Sequence, residues 1–186
     1  MQQVQLVNVK ASLKGLGNDV YYLDDLNINV SSLQQWVLLG ANGAGKSAVA
    51  AAIAGFAKIE KGQYENSFER IALVSPDSQK QLLAAELTKD QDDIIDGVTP
   101  SSTVYELIIA GRDEQQLDSD LLQQLISLFD FSDKLSKAFR DLSTGETRKL
   151  MLIQAIIGRP DLLVLDEPFD GLDVMAMAGL NQLLAE

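Results

Sequence analysis

One short run constrains this chain more than any other. Gly40-Ala41-Asn42-Gly43-Ala44-Gly45-Lys46-Ser47 fills every fixed position of the pattern G-x-x-x-x-G-K-[ST]. The apolar run Gln35 to Leu39 precedes it and reads as a buried strand. Small apolar residues from Ala48 to Ala57 follow it and read as a helix packed on both sides. A glycine-rich loop between strand and helix lets successive N–H groups converge on one anion. A helix opening at Lys46 adds the positive end of its dipole. Lys46 then supplies a point charge to the β- and γ-phosphates of a nucleotide, and Ser47 a hydroxyl ligand for Mg²⁺. The competing reading is a glycine-rich turn that starts a helix and binds nothing. The complete pattern in its proper context weighs against it.

Composition narrows the chemistry further. The chain has 186 residues, no histidine and no cysteine. A Ser-His-Asp triad, a Cys-His nucleophile pair, a thiolate or imidazole zinc site and any disulfide are therefore excluded. Acid–base work falls to carboxylates, Lys, Tyr or water. The net charge of −12 argues against nucleic acid as a partner, because phosphate backbones are bound by basic patches. No apolar run reaches the roughly 18 residues of a membrane span. The N-terminus MQQVQLVNVK lacks the pattern of a signal peptide. The expected location is the cytoplasm, peripheral at the inner membrane only through a partner.

Along the chain, Val4, Leu6 and Val9 read as a strand, Lys14 to Asp19 as a turn, and Val20–Leu23 with Leu26–Val30 as strand or strand-bulge-strand. Arg70 to Val74 reads as another strand, stopped by Ser75-Pro76. From about Gln79 to Arg140 the pattern turns helical, with Leu82, Leu83 and Leu87, then Val104, Leu107 and Ile108, then Leu121, Leu122, Leu125 and Leu128. The acidic stretch Lys89 to Ser102 reads as a loop between the first two of these helices. Ser143 to Gly158 reads as a long helix, Leu162 to Leu165 as a buried strand, and Leu172 to Leu184 as a last amphipathic helix.

Asp166 and Glu167 stand at the C-terminal end of the Leu162–Leu165 strand, the edge where open α/β sheets bind ligands. Taken alone, the pair could equally be a turn. Beside a phosphate loop, Asp166 reads as a Mg²⁺ ligand, directly or through water, and Glu167 as the group that polarises an attacking water.

Together these motifs resemble those of the ATP-binding cassette (ABC) ATPases. What singles that family out is Leu142-Ser143-Thr144-Gly145-Glu146, which resembles the signature LSGGQ with Thr144 and Glu146 as departures. Phe169-Asp170-Gly171-Leu172-Asp173 resembles the D-loop, and Thr103 to Arg112 (TVYELIIAGR) the helical-subdomain start of metal-chelate and siderophore cassettes. LSTGETRK and EPFDGLDV resemble, more narrowly, the first cassette of the ModF-type twin-cassette proteins associated with molybdate uptake. The resemblance implies a P-loop NTPase of α/β class, with a RecA-like parallel core sheet, an N-terminal antiparallel β-subdomain and an inserted helical subdomain. Residues 1–186 would be a single, C-terminally incomplete ATPase domain, with 1–78 and 142–186 as the nucleotide-binding core and 79–141 as the helical subdomain.

The implied mechanism pairs two cassettes head to tail, in one chain or two, around ATP and Mg²⁺. Ser143, Thr144, Gly145 and Glu146 would face the ATP held by the partner cassette, and Asp173 would serve the D-loop. Ser143-x-x-Glu146 is also the pattern of a capping box, and both roles can hold together. The aromatic that stacks on adenine falls near Ser12 or Leu13, neither of them aromatic, while Tyr21 and Tyr22 read as one core and one surface residue of a strand. Gln79 is the candidate for the Q-loop glutamine that reaches Mg²⁺, with Gln81 next. The switch histidine of the family is absent, and the strand that carries it would follow Glu186. Its absence would open the middle of the sheet and expose apolar surface. A cassette of this kind hydrolyses ATP. The alternatives are a nucleotide-gated regulatory module with little turnover, and the energy subunit of a membrane transporter.

Overall fold

The structure is a computed structural model that describes residues 1–15, 20–96, 102–113 and 117–185, with 90–96 as backbone only. The predicted turn at Lys14–Asp19 and the later part of the Lys89–Ser102 stretch thus lie largely outside the described residues. The chain divides into two compact units, Met1–Asp77 with Arg159–Asp166, and Ser78–Gly158 with Glu167–Glu186.

The first unit holds two sheets. Strands β1 (Gln3–Lys14), β2 (Val20–Ser31) and β3 (Lys58–Asn66) form an antiparallel sheet in the order β2-β1-β3. On the central strand Val4 and Leu6 alternate inward, and so do Val9 and Ala11, but the step from Leu6 to Val9 breaks the period of two. Register shifts between Leu6 and Ala11 resolve the conflict, because a bulge inserts residues without turning the apolar face away. Asn8 takes a positive φ of 50° there. Opposite it, a Cβ on Gly62 (φ 92°) would collide with the Asn8 main-chain oxygen, so only glycine fits. Helix α1 (Lys46–Ile53) packs on this sheet, with Ala52 inside a core of Val4, Leu6, Val9, Ala11 and Phe68. Strand β3 escapes sequence patterning because Ile59 and Tyr64 are its only large apolar side chains.

Strands β4 (Ile71–Val74) and β5 (Leu162–Leu165) pair in parallel, Ile71 opposite Leu162 through Val74 opposite Leu165. Arg70 closes one end, donating its N–H (3.0 Å) and a guanidinium N–H (2.9 Å) to the Asp161 carboxylate. At the other end the Asp166 N–H donates to the Val74 carbonyl at 2.9 Å, which fixes where Asp166 emerges.

In the second unit, α2 (Pro76–Asp96) leads to α3 (Val104–Ile109), α4 (Ser119–Leu128), a 3₁₀ turn at Phe139–Asp141, α5 (Thr144–Ile157) and α6 (Val174–Ala185). Leu125, Phe129, Phe131, Leu150, Leu152, Ile153 and Leu180 are fully buried and fill its core. A Cβ on Gly179 would meet the Leu128 side chain at 2.5 Å, so α4 and α6 approach closely through a missing side chain.

Four sequence expectations need correction. Gln35–Leu39 forms no strand, and Val37 and Leu39 are 80% and 85% exposed. Apolar composition marks residues that gain from burial but does not supply the neighbouring strand a ladder requires. Leu162–Leu165 does form a strand but is half-buried rather than buried, because β4 is its one strand neighbour among the described residues. The acidic stretch read as a loop is helical through Asp96: Lys89 to Asp96 contains no Gly or Pro, and the first such breaker is Gly97. Tyr21 and Tyr22 are both exposed, since the core takes Leu23, Leu26 and Ile28 from β2 and ends before residues 20–22.

Candidate functional site

In the first unit the phosphate-loop residues curl ahead of α1. Gly43 (φ 79°) and Gly45 (φ 90°) occupy the left-handed region that side chains rarely enter, and Gly45 is the N-cap of α1. That cap offers no side-chain acceptor to the first-turn N–H groups of the helix. Gly40, Ala41, Asn42, Gly43 and Ala44 are exposed, and the Ala44 N–H donates to Ala41 O at 3.1 Å. Lys46 Nζ donates to the carbonyls of Gly40 and Ala41, each at 3.0 Å. The ammonium is therefore held against the start of its own loop, and a phosphate oxygen can take up its remaining donor capacity. Ser47, in the first turn, is exposed. Asp166, in the same unit, is 7% exposed at the end of β5.

These donors fit Mg²⁺ in kind: a hydroxyl and a carboxylate are hard oxygen ligands. Among the described residues no cluster of three or more acidic, His or Cys side chains could hold a metal alone.

The second unit carries the other predicted residues. Glu167, exposed, follows Asp166 with φ 52°, a left-handed backbone that costs a non-glycine residue about 1–2 kcal/mol. Its carbonyl accepts two hydrogen bonds, from Arg148 Nη2 at 2.8 Å and from the Asp170 N–H at 3.1 Å. Arg148 is 2% exposed on α5. A charge-assisted hydrogen bond of this kind contributes about 1.5–3 kcal/mol, enough to hold the unfavourable φ. Sequence reading missed Arg148. Its one available signal was a charged residue on the apolar side of a predicted helix.

Gln79 is buried in the first turn of α2, and its Nε2 donates to the Thr144 carbonyl at 2.9 Å; Gln81 is exposed. Gln79 thereby reaches the start of α5 and keeps its amide oxygen as the atom with which it could meet a cation. At that start the capping box is complete. The Glu146 N–H donates to Ser143 Oγ at 3.2 Å, and the Ser143 N–H donates to Glu146 Oε2 at 2.8 Å. The Ser143 backbone bond and hydroxyl hold the Glu146 carboxyl below its usual range, and Lys134 and Lys137 add to this against partial burial. Lys134 Nζ lies 3.8 Å from Glu146 Oε1. A Cβ on Gly145 would sit 2.5 Å from the Gly171 oxygen, so signature and D-loop main chains touch. Asp173 caps α6 by accepting the Ala176 N–H at 2.9 Å and pairs with Lys149 Nζ at 2.5 Å; that lysine lowers the Asp173 pKa.

The sequence profile of the ABC transporter family matches residues 23–170. The chain belongs to the ABC transporter family. It is 38% identical over 165 residues to the ABC transporter ATP-binding protein ModF of Escherichia coli, covering 88% of this chain and 32% of that protein. It is 28% identical over 176 residues to the zinc import ATP-binding protein ZnuC of Vibrio vulnificus, covering 93% of this chain and 60% of that protein. The chain thus spans about a third of the one relative and three fifths of the other. Among solved structures, the ATP-binding subunit of an ABC transporter superposes with a TM-score of 0.68 at 20% identity, over 97% of this chain and 72% of that one. A cobalt transport ATP-binding protein superposes at 0.66 and 22%, over 97% and 65%. The fold is that of ABC ATPase domains, a P-loop NTPase fold of α/β class. The matched residues include the phosphate loop, LLVLDE and LSTGE.

Proposed function

We propose that this chain binds Mg·ATP and hydrolyses it as one cassette of a pair, within a twin-cassette protein linked to molybdate transport. The observation that carries the reading is the phosphate loop, with glycines at φ 79° and 90° and Lys46 held at the start of α1. Residues Gly40 to Ser47 take the nucleotide phosphates. Ser47 and Asp166 would hold Mg²⁺ with water, and Gln79 would serve as the Q-loop glutamine. When bound, Mg²⁺ offsets the charge of the β- and γ-phosphates. Glu167 accepts a hydrogen bond from the attacking water and receives its proton as the water oxygen bonds to the γ-phosphorus and the bond to ADP breaks. Lys46 stabilises the charge on the transferring group.

Ser143, Thr144 and Gly145 serve the ATP of the partner cassette, with Glu146 closing the capping box and Asp173 setting the D-loop. The molybdate link and the twin arrangement rest on the resemblance of LSTGETRK and EPFDGLDV to the ModF-type proteins. The protein is cytoplasmic in this reading, peripheral at the inner membrane only through a partner.

Two other readings each have an observation behind them. The Glu146 carboxylate at the head of α5 puts negative charge in the stretch that would face the partner's nucleotide, which favours a nucleotide-gated module with little turnover. The similarity to ZnuC favours the energy subunit of a membrane transporter. Steady-state phosphate release by the full-length protein, purified with and without detergent-extracted membrane, separates the three. Turnover without a co-purifying membrane subunit supports the proposal. Tight ATP binding without release supports the gated module, and a stoichiometric membrane subunit supports the transporter.

A further inference from the structure

The geometry points to Arg148 as the positioning residue of Glu167: its guanidinium, buried on α5, fixes the Glu167 carbonyl and so aims the carboxylate. This rests on the reading of Glu167 as the residue that activates water.

A side chain leaves the backbone in a direction set by its own φ and ψ. Glu167 has φ 52°, where an L-residue stays only when its surroundings demand it. Pro168 follows, has no N–H, and restricts the residue before it. The Glu167 peptide is held instead through its carbonyl, by Arg148 Nη2 at 2.8 Å and the Asp170 N–H at 3.1 Å. Only the first of these comes from outside the local turn. Arg148 is 2% exposed, so its charge is removed from water and the bond to the carbonyl is correspondingly strong.

Arg148 lies on the helix that Ser143 caps, in the turn after the capping box. One rigid element thus carries both the signature residues and the group that sets the Glu167 backbone. A shift of α5 would move the Glu167 carbonyl with it, and hydrolysis would follow the position of the signature helix. Lysine can reach a carbonyl with one donor but lacks the planar fork that fixes its direction.

The test uses the full-length protein and four variants: Arg148→Met, Arg148→Lys, Glu167→Gln and the double variant Arg148→Met/Glu167→Gln. Folding is checked by thermal melt, and ATP affinity, kcat and KM are measured. With Arg148→Met, kcat falls at least tenfold while KM and ATP affinity stay within about threefold. Arg148→Lys recovers part of the lost activity but stays at least threefold below the parent in kcat. The double variant is no slower than Glu167→Gln alone, because Arg148 acts through Glu167; a purely structural defect would multiply the two losses.

A folded Arg148→Met enzyme with parental kcat overturns the proposal, as does a double variant at least tenfold slower than Glu167→Gln. If Arg148→Met does not fold, Arg148→Lys decides: a several-fold loss in kcat at constant KM supports the proposal, and parental kcat overturns it. Full turnover by Glu167→Gln would instead refute the underlying assignment of the base, whichever way the Arg148 variants behave.

Discussion

Gly145 in the signature and Gly171 in the D-loop are in main-chain contact: a Cβ built on Gly145 would lie 2.5 Å from the Gly171 oxygen. Atoms do not approach that closely, and the obstacle is backbone, which cannot swing aside. Gly145→Ala should therefore cost about 1–3 kcal/mol by overpacking. A domain of this size loses about 2–4 °C in Tm per kcal/mol. Gly40→Ala is the control for stability, because its Cβ would meet Ala44 Cβ at an ordinary 3.4 Å. Thermal melts of the two variants should differ by several degrees; equal melts would show that the two loops separate readily.

The capping box at α5 separates stability from charge. Ser143→Ala removes the acceptor for the Glu146 N–H and should cost about 1 kcal/mol. Glu146→Gln keeps an oxygen for the Ser143 N–H, as glutamine also closes a capping box, and should leave stability at neutral pH within about 0.5 kcal/mol. Denaturant titration measures both.

Much of this was legible in the residues. The phosphate loop, LLVLDE and LSTGE each combine fixed residue types with fixed spacing, so their place on loop, strand end and helix start could be read directly. Ser143-x-x-Glu146 announced its own hydrogen bonds, and both are present. Three other features depend on partners that are distant in sequence. Strand β3 lacks apolar alternation and is held by pairing with β1. Gln35–Leu39 has the composition of a buried strand but no ladder. Arg148 is buried and donates to the carbonyl of Glu167, nineteen residues on. Local pattern can mark such a residue as unusual but does not name its partner.

The pH dependence of stability follows from the acids. Glu146, Asp173, Glu106 and Asp161 have folded pKa values lowered by hydrogen bonds to Ser143, Lys149, Thr103 and Arg70 respectively. A lowered folded pKa contributes stability above the unfolded value, and that contribution is lost as pH falls through the folded value. With no histidine in the chain, no side chain of ordinary pKa titrates between pH 5 and 8. Stability should therefore be flat from about pH 8 to 5 and decline below about pH 4. Glu146→Gln should soften the decline. A transition centred near pH 6.5 would contradict the account.

Asp173 joins two tasks, capping α6 and pairing with Lys149. Asp173→Asn keeps a cap acceptor and loses the ion pair, whereas Asp173→Ala loses both. The alanine variant should be less stable than the asparagine variant by about 0.5–2 kcal/mol, the worth of a cap. Equal stabilities would leave the cap without weight.

Glu167 is proposed to activate the water that attacks ATP. Single-turnover hydrolysis by Glu167→Gln, with ATP affinity measured on the same preparation, tests it most directly. Hydrolysis should be at least 100-fold slower, a loss within the usual range for a general base, with affinity within a few-fold of the parent. Parental hydrolysis at parental affinity would contradict it.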